Sequence, residues 1–119
     1  MTAIDPAHLV GTGGAFGALA RVYVSQRFES EYPTGTLVVN VLGSLALGLV
    51  TFAGAGETVV LLIGTGACGS FTTFSSFSFE TVRLIEEDEI GQAAANALAN
   101  LAGSLAAIAL AWLAVRAVG

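Results

Sequence analysis

The sequence predicts an all-α integral membrane protein with four transmembrane helices, the third of them broken mid-membrane. Three observations carry that expectation. Of the 119 residues, 55% are hydrophobic and only 11% charged, with a mean hydropathy of +0.80, whereas soluble domains carry about 25% charged residues. The charges are clustered, leaving three uncharged stretches at 32–56, 58–79 and 90–115, each long enough for the roughly 20 apolar residues of a spanning helix. The third stretch runs into a segment dense in glycine, serine, threonine and phenylalanine, a composition that weakens a helix and supplies donors.

Taken in order, the spans are expected at 6–27, 33–54, 58–84 and 91–117, forming a single transmembrane domain over 1–119. The first is apolar and rich in glycine (Gly11, Gly13, Gly14, Gly17) but holds Arg21. No Lys or Arg lies between Met1 and His8, so a cleaved signal peptide, which needs a basic start, is rejected. In the second span Thr36, Asn40, Ser44 and Gly48 recur every four residues. The fourth carries Ala95, Ala99, Gly103, Ala107 and Ala111 at the same interval, with Asn96, Asn100 and Ser104 beside them. Small residues let helix backbones approach where lipid gives no hydrophobic drive to associate. Short connections between spans imply an antiparallel bundle with both termini on one side.

Charge excludes several functions. Nine acids, four arginines and no lysine give a net charge of −5, leaving no basic patch for nucleic acid. The excess of acid without lysine hints at a salt-adapted organism. One histidine and one cysteine exclude a histidine metal cluster and an intrachain disulfide. Arg116 lies on one side of the membrane, Arg27 and Arg83 on the other. Because orientation follows Lys and Arg alone, this near-tie allows insertion both ways round or a weak lean toward cytoplasmic connecting loops.

Three features carry chemistry. Arg21 costs at least ~2.5–3.5 kcal/mol if held at the centre of a span; it either snorkels to the interface or places a fixed positive charge in a wet vestibule. Asn40 either hydrogen-bonds another helix or presents an amide to a pathway. The third span reads G-T-G-A-C-G-S-F-T-T-F-S-S-F-S-F-E over 64–80. A break there frees carbonyls around Gly69 to Thr72, and free carbonyls hold cations. The hydroxyls of Thr72, Thr73, Ser75, Ser76 and Ser78 follow, threaded by Phe71, Phe74 and Phe77. Phenyl rings present a positive edge, so rings turned edge-on line an anion path without formal charge. The alternative is core packing, with hydroxyls bonded back to the helix. Glu80 and Arg83 read as a helix-end ion pair, Glu86 to Glu89 as a solvated loop, Cys68 as a small buried residue, and His8 and Trp112 as interface residues. No intramembrane carboxylate precedes Glu80, whereas proton- and cation-coupled transporters need one. The donor inventory suits a small anion.

The segments G-G-A-F-G-A-L-A-R-V-Y at 13–23, Y-P-T-G-T-L-V-V-N-V-L-G-S at 32–44 and G-A-C-G-S-F-T-T-F-S-S-F at 66–77 together resemble the Fluc/CrcB fluoride channels. The resemblance covers nearly the whole chain and weakens in the fourth span. It implies a passive fluoride-selective channel of the cell membrane that exports fluoride and lowers its toxicity, built as an antiparallel, dual-topology homodimer or as a heterodimer of related chains. It implies two pores with Phe74 and Phe77 in their walls, Asn40 as the pore amide, Arg21 near the vestibule, and Thr73 and Ser76 among the hydroxyls, with Asn100 and Ser104 as the fourth-helix candidates. It also implies a structural, untransported sodium ion on the dimer axis, held by the carbonyls of Gly69 and Thr72. The chain departs from the family pattern at Ser70, where a glycine is usual, and at Ser76, where a threonine is. Physically, fluoride that enters as HF and ionises in a neutral cytoplasm is trapped there, and a passive pore lets it leave. Two other classes remain open. A small proton-coupled multidrug exporter would want a first-span carboxylate where Arg21 stands and would export cationic dyes; a non-transporting membrane assembly subunit would show no anion flux. An enzyme is not expected, because no paired carboxylates, Ser–His set or metal motif lies at membrane depth.

Overall fold

A computed structural model describes residues 4–119. Helix α1 (Pro6–Arg27) opens with Asp5 as its N-cap, whose carboxylate accepts from the backbone N–H of Ala7 at 2.8 Å, and with Pro6 in the first turn, where its missing N–H costs nothing. Helix α2 (Thr34–Phe52) follows Pro33 and gives way to Gly54 at φ +68°, a left-handed turn that suits glycine. Helix α3 covers 57–71. It begins with one α-helical turn (Glu57–Val59), widens into a π-helix (Val60–Cys68) and closes with another turn (Gly69–Phe71). Thr72 and Thr73 are extended (ψ 159°; φ −149°, ψ 120°), and helix α4 (Phe74–Glu86) starts beyond them. Thr73 caps α4, its Oγ1 accepting from Ser76 N–H at 3.1 Å. After Asp88 at φ 59°, helix α5 (Ile90–Val118) runs to the end of the chain.

Among the described residues, three segments are long and apolar enough to cross a membrane: Thr34–Phe52, Glu57–Glu86 and Ile90–Val118. Helix α1 is long enough at 22 residues but less apolar, diluted by its glycines and Arg21. The chain is a multi-pass membrane protein. Its buried apolar residues are few and mostly small (Leu9, Val39, Cys68, Leu84, Ala93, Ala107, Ala111), while Phe16, Leu19, Phe74 and Phe79 are among many large apolar side chains left exposed. This inversion of the soluble pattern follows from lipid, which solvates apolar side chains as well as another helix does.

Helix α2 packs on α5, and α1 on the π-helical part of α3. The second contact is backbone on backbone. A Cβ at Gly13 would run into the carbonyl of Leu62, and one at Gly17 into that of Ala67. In the first contact Gly48 sits against Ala111 and Ile108. The small-residue stripe of α5 differs from the one read at four-residue intervals. Ala107 and Ala111 are buried, but toward the N-terminus the buried set is Ala93, Asn96 and Asn100, with Ala95 exposed. A turn holds 3.6 residues, so a strict four-residue stripe drifts about 40° per step and leaves the interface within a few turns.

Candidate functional site

The interruption between α3 and α4 leaves the N–H and carbonyl of Thr73 without a helical partner, and Asn40 of α2 takes both. Its Oδ1 accepts from Thr73 N–H at 2.8 Å, and its Nδ2 donates to the Thr73 carbonyl at 3.1 Å. This two-point clamp fixes which way the amide faces. The second Nδ2 hydrogen goes to Asn100 Oδ1 at 2.9 Å. Asn100 must therefore turn its own Nδ2 away, and it donates to the carbonyl and Oδ1 of Asn96 at 2.9 and 3.1 Å. Asn96 Nδ2 donates to Thr81 Oγ1 at 2.9 Å, and that hydroxyl donates to the Phe77 carbonyl at 2.7 Å. A one-way chain of donors thus runs from α2 through α5 to α4. Thr73, Asn96 and Asn100 are buried, and a buried polar group without a partner is costly.

The Asn40–Asn100 end of this chain lines an open groove of about 810 Å³. Asn40, Thr73, Phe74, Phe77, Asn100 and Ser104 line it, as do Gly69 and Thr72. The rings of Phe74 and Phe77 lie 5.7 Å apart and tilted by 48°. Phe74 is 79% exposed, facing away from its own chain's core. Phe71, Ser75 and Ser78 do not line the groove, nor do two of the residues that the resemblance assigned to the pore, Ser76 and Arg21. Ser76 lies in the first turn of α4, its backbone N–H spent on the Thr73 cap. Arg21, part-buried, donates from Nη1 to the Thr72 carbonyl at 3.2 Å, which ties α1 to the interruption.

The break also changes which carbonyls are free. In a continuous helix Thr73 N–H would bond the Gly69 carbonyl and Ser76 N–H that of Thr72. Here the first goes to Asn40 and the second to Thr73 Oγ1. The Gly69 carbonyl is released, and that of Thr72 takes Arg21 while keeping a second lone pair. Gly43 makes room for this arrangement, because a Cβ there would run into Thr72 Cγ2.

One expected pairing is overturned. Glu80 and Arg83 form no ion pair; Glu80 Oε1 accepts from the buried Thr36 hydroxyl at 2.6 Å, and Arg83 Nε is buried without an acceptor. Lateral competition explains this, since a hydroxyl on α2 faces the carboxylate across the helix interface. Sequence reasoning missed Thr81, the Thr36–Glu80 bond and the part played by Asn96. The four-residue interval from Asn96 to Asn100 was visible, but Thr81 carries no signal until α4 and α5 are seen to cross.

Residues 8–112 match the family model described as CrcB-like protein, Camphor Resistance (CrcB). Among curated relatives, a fluoride-specific ion channel FluC 2 of Haloarcula marismortui is 58% identical over 119 residues, covering 99% of this chain and 100% of the relative. A FluC 1 of Halobacterium salinarum is 54% identical, covering 92% and 93%. A FluC of Methanocaldococcus jannaschii is 44% identical, covering 82% and 83%. All three carry the description fluoride-specific ion channel.

Proposed function

The chain belongs to the CrcB-like family, and from that premise we propose that it is a passive fluoride-selective ion channel that lets fluoride leave the cytoplasm. The observation that carries this reading is the groove itself. One wall offers phenyl rings, the other amides and hydroxyls, and no carboxylate lines it. Fluoride is small and strongly hydrated, so a path must replace its water with donors and still release it. Ring edges and neutral donors meet both needs, because neither binds with the strength of a fixed cation. Asn40, Thr73, Asn100 and Ser104 supply the polar contacts, and Phe74 and Phe77 the rings.

A second copy of the chain, in the opposite orientation, closes the groove; a related chain in the same place is the alternative. Support comes from the exposed Phe74 and Gly69 on the open side and from the near-equal arginine counts on the two faces. The extended Thr72 and Thr73 lie at membrane depth, where such backbone survives only if protein or a cavity covers it. The released carbonyl of Gly69 and the second lone pair of the Thr72 carbonyl beside Arg21, from both copies, suit a hard cation that takes only oxygen ligands. They would hold a structural sodium ion, which supplies positive charge to carbonyl dipoles gathered at the interface. A Cβ at Gly69 would meet nothing within 4 Å, which leaves that approach open.

Fluoride efflux from liposomes holding the purified chain, with chloride as control, tests the reading. Fluoride loss without chloride loss is expected, with F74I and F77I each conducting more slowly while eluting as the same assembly. Normal flux in both variants would remove the rings from the path. Absence of flux in the wild type, alone and with a related chain added, would sink the channel reading.

A further inference from the structure

The four arginines are the chain's whole complement of Lys and Arg, and three have partners. Arg21 donates to the Thr72 carbonyl, Arg27 lies 5.8 Å from the Tyr23 ring centroid and Arg116 4.8 Å from that of Trp112. Arg83 is different, because its Nε is buried and meets no acceptor among the described residues. Arg83 lines a second cavity of about 290 Å³, between the α1–α2 connection and α4.

This cavity and the groove share two walls. On α2, Asn40 lines the groove, and Thr36, four residues earlier, lines the small cavity. On α4, Phe77 lines the groove, and Glu80, three residues later, lines the small cavity. Residues three or four apart share a helix face, so the cavities follow one another along both helices, about one turn (~5 Å) apart. We propose that the small cavity is the mouth of the groove and that Arg83 is the charge an anion meets there. This rests on the groove being the fluoride path.

Glu29 and Glu80 also line the cavity, and two carboxylates would repel fluoride from a mouth with no cation. Arg83 is the only Lys or Arg lining it. Arg83 is half-buried and lines the cavity, and a guanidinium there offers a passing anion a charge-assisted donor. The flanking carboxylates keep that attraction from becoming a trap, which conduction requires.

The test is fluoride efflux from liposomes holding wild type, R83Q or R83K, at ~0.1 M and at ~1 M of a salt with an impermeant anion. The Debye length falls from about 10 Å to about 3 Å across that range. R83Q is expected to conduct at least ~3-fold more slowly at the lower salt, with the deficit shrinking at the higher, because charge steering is screened. R83K is expected to recover most of the flux. Equal flux in wild type and R83Q would overturn the proposal and leave the cavity to water. So would a deficit that salt does not change and R83K does not repair, since that marks a packing role. Should R83Q not survive purification, R83K carries the test, and its failure to conduct in folded form would overturn the proposal. In all these cases the wild type conducts, which separates this failure from that of the channel reading; a wild type silent both alone and with a related chain added would end both.

Discussion

Asn40 spends both of its amide hydrogens inside the chain, on Thr73 and on Asn100. It can reach an ion only by giving one up, and the bond to Asn100 is the one made to a side chain, which can turn, rather than to backbone. How readily that exchange occurs depends on how firmly Asn100 is held, and Asn100 is held by Asn96. Asn96 therefore belongs to the site without lining the groove. Asn96→Leu removes the side-chain acceptor for Asn100 and the donor to Thr81, leaving the backbone bond from Asn100 intact. Stability should fall by about 1–2 kcal/mol, the range for interhelical polar contacts in bilayers, read as a lower temperature of aggregation in detergent. Fluoride flux should fall as well, because the Asn100 amide is then free to turn and compete with the ion. A variant that loses stability but conducts like the wild type would assign Asn96 to packing alone.

At the scale of elements, the contact between α1 and α3 decides whether the chain folds, and glycine positions decide that contact. Gly17 has the Ala67 carbonyl where a Cβ would stand, whereas Gly11, on the same helix, faces open space. Gly17→Val should yield no folded protein, while Gly11→Ala should fold as well as the wild type or gain up to ~1 kcal/mol from helix propensity. Recovery of both variants as equally stable protein by size-exclusion chromatography would refute the close packing. Nothing in the sequence separates these two glycines, because the difference lies in the partner helix. The apolar stretches of α2, α3–α4 and α5 were legible because charge-free length alone marks a span. The glycines of 64–69 marked a weakened helix, but not its form. The backbone widens into a π-helix over Val60–Cys68 and turns extended only at Thr72 and Thr73, since Asn40 offers Thr73 the hydrogen bonds a helix would have supplied. Of the groove residues, Asn40, Thr73, Phe74 and Phe77 stood out by residue type at membrane depth, whereas Asn100 and Ser104 entered only through the family resemblance. Thr81, Glu80 and Arg83 did neither, because their partners sit on other helices.

For the whole molecule, the open groove and the exposed rings call for a second body, and the arginine count bears on how that body is oriented. With Arg116 on one face and Arg27 and Arg83 on the other, the charge bias that orients membrane proteins amounts to one residue. In the proposed channel such a chain enters the membrane both ways round, so that two opposed copies would meet as an antiparallel pair. Gly56 offers a place to test this. It lies in the connection between α2 and α3, and a Cβ there would meet nothing within 4 Å. In a Cys68→Ala background, Gly56→Cys provides a single thiol outside the membrane. An impermeant maleimide applied to intact cells should label about half of the protein, and permeabilisation should expose the remainder, as equal insertion requires. Labelling confined to one population, all outside or all inside, would show a single orientation and rule out an antiparallel pair of identical chains. The groove would then need a related chain of opposite orientation to close it, and co-expression of such a chain should restore fluoride flux that the single chain lacks.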